Sequence, residues 1–156
     1  MSNAGEVTYR KVLVPLDGSG FAEIALPHAI DICHQMNASL VLLQVIPPIS
    51  TLLPMDATSV IDLEALKEQS RAEAEAYIRA RAGEMREMNI PTKGLVIEGV
   101  PVATQILNVA AAEEVDLIVM STHGRGGLGR WMYGSVARKV LLGATVPVLM
   151  IPATEA

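Results

Sequence analysis

The segment Ser121–Ser135, STHGRGGLGRWMYGS, packs five glycines and two arginines into fifteen residues. Gly124, Gly126, Gly127 and Gly129 can take up positive φ and bring backbone close to a ligand. Successive exposed N–H groups in such a turn form a concavity suited to an anion. Gly134-Ser135 then opens a helical pattern, with Ser135 placed to act as N-cap, and a helix start offers unpaired N–H donors to a phosphate. Arg125 and Arg130 are the cations nearest to such a group in sequence. A plain turn needs one or two glycines, so five favour an anion-holding backbone.

A second polar turn, Pro15-Leu-Asp17-Gly-Ser19, follows the first apolar run. There Asp17 can accept from sugar hydroxyls or hold a metal-bound water. The competing reading is a turn aspartate in D-G-S that supports the helix start after it. His123 borders the glycines and could serve as acid, base or hydrogen-bond donor. No carboxylate nearby in sequence orients it, and no Ser or Cys nucleophile is recognisably paired with it. His28 and His34 read as packing or surface residues, and three scattered histidines with the single Cys33 make no metal site. Neither G-x-x-x-x-G-K-[ST] nor a G-x-G-x-x-G after the first strand occurs.

The elements that must position these turns are legible as apolar runs. Val12–Val14, Leu40–Val45, Leu95–Ile97, Leu117–Met120 and Val146–Ile151 are continuous rather than alternating, which suits strands covered on both faces. Between them the spacing predicts helices over Phe21–Asn37, Asp62–Asn89, Val102–Glu114 and Ser135–Leu142. The first places Ile24, Ala25, His28, Ala29 and Ile32 on one face, and in the second Glu75 and Arg79 are spaced as a favourable pair. Strands alternating with helices imply an α/β fold: a five-stranded parallel sheet with helices on both faces. The usual order, 3-2-1-4-5, reverses between strands one and four, where ligands of open sheets bind. The two polar turns would then face each other across one crevice. The loop Ile46–Ser59, with three prolines, is expected to be a flap edge rather than a second domain.

Length and composition set the outer limits. The 156 residues suit one domain, with residues 1–9 set aside as tag or flexible. Apolar residues make up 51% of the chain, with one Phe and one Trp, so the core must be aliphatic. The net charge of −5 argues against general nucleic-acid binding. Yet the span between Asp116 and Glu155 holds no acidic residue, only Arg125, Arg130, Arg138 and Lys139 as charges. No apolar run reaches the roughly 18 to 20 residues of a membrane span. The N-terminus lacks a signal-peptide pattern, and one cysteine fits a reducing, cytoplasmic setting.

Val12–Ser19 (VLVPLDGS), Asp116–Gly124 (DLIVMSTHG), Gly134–Ala137 (GSVA), Gly99–Pro101 and Val146–Ile151 resemble, in order and spacing, the universal stress protein family. The resemblance runs from Lys11 to Pro152. Members that bind ATP carry G-x-x-G, nine residues, then G-[ST]. Here Gly124, nine residues and Gly134-Ser135 match, while Ser121 stands at the first glycine. The resemblance implies a Rossmann-like sheet of the adenine nucleotide alpha hydrolase type and a stress-response protein that binds ATP, with Mg held through its phosphates where present. Asp17 would meet the nucleoside end, and Val45 with Pro15 would line the adenine pocket. Gly124, Arg125, Gly127, Gly134 and Ser135 would contact ribose and phosphates, with Val136, Ser121 and His123 beside them. It also implies a homodimer through the last strand, Val146–Ile151, an apolar edge that would otherwise pair without control. A slow ATPase or phosphotransferase using Asp17 and His123, and a dimeric interaction module without nucleotide, are the competing functions.

Overall fold

The computed structural model describes residues 5–53, 62–123 and 133–153. Five parallel strands form one sheet: β1 (Lys11–Leu16), β2 (Ser39–Ile46), β3 (Thr92–Glu98), β4 (Leu117–Ser121) and β5 (Val148–Ile151). Their order is β3-β2-β1-β4-β5, as the alternating pattern predicts. The helices are α1 (Gly20–Glu23), α2 (Leu26–Met36), α3 (Leu63–Glu87), α4 (Val102–Ala112) and α5 (Ser135–Gly143).

Period-two alternation divides the apolar strands between two cores. Val12, Val14, Leu16, Leu40, Leu42, Leu117 and Val119 pack with Ala22, Leu26, Ala29, Ile78, Ala82 and Met85 of α1, α2 and α3. Leu13, Val41, Leu43, Ile118 and Met120 pack with Ala103, Ile106, Val109, Ala137 and Val140 of α4 and α5. Both faces of the central strands are therefore dry, which explains their unbroken apolarity. The edge strand β3 departs from that expectation: Lys93 and Gly94 are exposed and no residue of β3 is fully buried.

Three local expectations are corrected. The segment Phe21–Asn37 is not one helix but two, split at Ile24-Ala25. Pro27 has no N–H to give the Glu23 carbonyl, and its ring would crowd that carbonyl in a continuous helix. The break turns His28 to solvent, and the buried face is Leu26, Ala29 and Cys33. Glu75 pairs backward with Arg71 at 3.4 Å, not forward with Arg79. The last strand is shorter than the apolar run, starting after Pro147 at Val148. Of the loop expected over Ile46–Ser59, a single 3-10 turn, Ile49–Thr51, and its flanks are described; residues 54–61 lie outside.

At the amino end of the sheet, Asp116 ties β1 to β4. Its carboxylate accepts from the Arg10 N–H at 2.9 and 3.1 Å and from the Lys11 N–H at 3.0 Å. The Asp116 N–H in turn donates to the Lys11 carbonyl at 3.0 Å. That clamp fixes which residues of β1 and β4 stand side by side, and hence which turns meet at the opposite end.

Candidate functional site

At the carboxyl end the central ladder is cut short. β1 pairs with β2 from Lys11 to Leu16, but its register with β4 covers Val12↔Leu117 and Leu13↔Ile118 alone. Beyond Leu13, β1 and β4 run on without shared pairs. This is the point of strand-order reversal, where an open α/β sheet leaves a crevice.

One wall is the turn after β1. The Ser19 N–H donates to Asp17 Oδ1 at 2.9 Å, and the Ser19 hydroxyl donates to the same oxygen. The Ser19 Oγ then accepts from the Ala22 N–H at 3.3 Å and caps α1. Gly18, at φ 83°, takes the left-handed turn that a side chain would disfavour. The turn-aspartate reading of Asp17 is thus realised, at the carboxyl end of β1.

The other wall joins the end of β4 to the start of α5. Ser121 closes β4, is 6% exposed, and its Oγ accepts from the His123 N–H at 3.3 Å. Thr122, which the sequence reading passed over, is the hub. Its N–H donates to the Ile151 carbonyl at 2.9 Å, its carbonyl accepts from the Gly134 N–H at 2.8 Å, and its Oγ1 accepts from the Ala153 N–H at 3.1 Å. The same hydroxyl lies 3.0 Å from His123 Nδ1. His123 Nε2 is buried and without a hydrogen-bond partner among the described residues. A hydroxyl-bearing β-branched residue at the end of an apolar strand was the available signal for Thr122.

The cap of helix α5 falls one residue earlier than expected. Gly134, not Ser135, is the N-cap, and among the described residues no side chain caps it. Ser135 is the first helical residue, so the N–H groups of the first turn have no intrahelical acceptor. A Cβ on Gly134 would stand 3.3 Å from the Thr122 carbonyl oxygen, so a side chain there would crowd the join. Ser135 is exposed and Val136 half-buried against the α4–α5 core.

Pro15 and Val45 share the α4–α5 face of the sheet by strand alternation, and both are half-buried near the carboxyl end. Asp17, Ser121, His123, Gly134 and Ser135 cluster at the same end by chain position. Gly124, Arg125 and Gly127 lie outside the described residues, as do Gly126, Gly129 and Arg130. His34 is remote, its Nε2 2.9 Å from the Met88 carbonyl oxygen.

The sequence profile of the universal stress protein family matches residues 8–152. The chain belongs to that family. A universal stress protein of Methanocaldococcus jannaschii is 34% identical over 148 residues, covering 94% of this chain and 84% of its own length. A second from that organism is 31% identical, and its solved structure matches with a TM-score of 0.82 at 28% identity, covering 96% of this chain and 100% of the other. The Archaeoglobus fulgidus universal stress protein in complex with dAMP has the same fold, with a TM-score of 0.66 at 19% identity over 93% of this chain and 99% of its own. No helix among the described residues of this universal stress protein is long and apolar enough to cross a membrane.

Proposed function

We propose that this universal stress protein binds an adenine nucleotide, ATP in the first instance, in the crevice between β1 and β4, and acts as a nucleotide-dependent regulatory homodimer in the stress response of the cytoplasm. The observation that carries this reading is the uncapped start of α5 at Gly134, held against Thr122 and across the unpaired stretch of the sheet from the Asp17 turn. Free N–H donors at a helix start favour a phosphate, and the Asp17 carboxylate supplies an acceptor for the nucleoside. Pro15 and Val45 offer apolar surface to a base. The segment carrying Gly124, Arg125 and Gly127 joins β4 to α5 in sequence and would complete the phosphate contacts together with Ser135 and Val136, with Mg joining through the phosphates.

Ser121 stands where ATP-binding members carry glycine, and its burial bears on the reading. Its hydroxyl is engaged by the following backbone, so the extra atoms are taken up by its own chain. His123 Nε2 is suited to meet a ligand oxygen. No residue in the described site forms the nucleophile–base pair that efficient phosphoryl transfer requires, so binding rather than turnover is the function assigned.

Calorimetric titration with ATP is the direct test. Binding in the wild-type chain, lost in Gly134→Glu while the unfolding midpoint stays within a few degrees, supports the reading. Absence of heat in the wild type, with no nucleotide on extraction of the purified protein, overturns it.

A further inference from the structure

The wall that carries Asp17 is braced from behind by a helix distant in sequence. Tyr77 of α3 donates its phenol proton to Glu23 Oε1 at 2.7 Å, across 54 residues. One turn further along α3, Arg81 Nε approaches the same carboxylate oxygen at 3.6 Å, and the guanidinium carbon lies 5.8 Å from the centre of the Tyr77 ring. Arg81 Nη1 also donates to Glu84 Oε2 at 3.0 Å, which fixes the guanidinium on its own helix. Tyr77 is half-buried, and burial, the Glu23 carboxylate and the Asp17 charge all hold its phenol protonated well above the ordinary range, against the opposing pull of Arg81. The phenol is therefore a donor throughout the working pH range.

Glu23 is the last residue of α1, a helix of a single turn. The backbone bonds at its two ends are long, with the Glu23 N–H 3.4 Å from the Ser19 carbonyl and the Ala25 N–H 3.3 Å from that of Ala22. One turn cannot hold its own shape in water, so external ties must set its place. At the front the tie is Asp17–Ser19–Ala22; at the back it is Glu23 to Tyr77 and Arg81.

We infer that Tyr77, Arg81 and Glu23 are positioning residues for the Asp17 turn: the long helix α3, through the Glu23 carboxylate, sets the pose in which Asp17 meets its ligand. Its affinity consequence rests on the nucleotide reading above; its structural consequence does not. Movement of α3 and occupancy of the Asp17 turn then become two ends of one linkage.

The test places Tyr77→Phe in the wild-type chain and in Asp17→Asn, with Glu23→Ala as an independent route to the same loss. Expected is a roughly three- to tenfold weaker ATP affinity from Tyr77→Phe alone, and no further weakening in the Asp17→Asn background. A fall in unfolding midpoint, if any, should be equal in both backgrounds. Equal affinity losses in both backgrounds, or none in either, overturn the inference. Should the wild-type chain bind no ATP, the nucleotide reading falls by itself, and amide hydrogen exchange decides the brace. Faster exchange at Ser19 and Ala22 in Tyr77→Phe, with β2 unchanged, sustains it; unchanged exchange at both overturns it.

Discussion

Cys33 shows how far a single residue can report the packing around it. It is 2% exposed on the inner face of α2, and burial alone pushes its thiol from the ordinary 9.0 up to about 11. A thiol kept neutral in the fold but free to ionise when unfolded favours the fold only while both states are protonated. Stability is therefore full below pH 9 and falls as pH rises from 9 through 11, by about 2–3 kcal/mol from this residue. Urea unfolding of the wild type against Cys33→Ala, stepped across that range, should show the extra slope in the wild type alone. The same residue is expected to resist alkylation at pH 8 until the chain is unfolded.

Among the elements, the ends of the strands carry more consequence than their middles. Asp116 receives three hydrogen bonds from the Arg10 and Lys11 amides, so Asp116→Ala should lower stability by about 1–3 kcal/mol, read by denaturant titration. A change confined to the carboxyl end, such as Gly134→Glu, should leave those three hydrogen bonds in place. The central strands were legible from sequence because burial on both faces leaves an unbroken apolar run. Strand order and the helix segments followed from their alternation. The split before Pro27 was written in the residues, but an otherwise good helical periodicity overrode it. At α5 the cap fell one residue earlier than expected because Gly134, tied to Thr122, already holds the extended conformation of a cap. At the site, Asp17 and Gly134 carried local signals: a D-G-S turn and a glycine before an apolar helix. Tyr77, Glu23 and the Asp116 clamp carried none, since their partners lie 54 and about 106 residues away and obey no periodicity.

For the whole molecule, the outer edge of β5, unpaired among the described residues, is the feature with most bearing on the proposed homodimer. Leu149 on β5 is 38% exposed, on an edge whose outward backbone groups belong to Val148 and Met150. Those two residues alternate with Leu149 and Ile151, whose amide and carbonyl groups face β4. A homodimer zipped along this edge needs the Met150 N–H. Met150→Pro removes that donor where an edge strand tolerates proline. The proline variant should sediment as a monomer while Met150→Ala remains dimeric. A dimeric Met150→Pro chain would place the contact elsewhere.

The short ladder between β1 and β4 also divides the sheet in space. β1, β2 and β3 share long ladders, and β4 and β5 share another. Between these two groups the backbone is joined by two registered pairs and the Asp116 clamp, and the side chains by the cores on either face. The cleft is the unfinished part of that join. A molecule lodged there would touch both groups of strands at once, so its binding energy would also be cohesion between the two sides of the sheet.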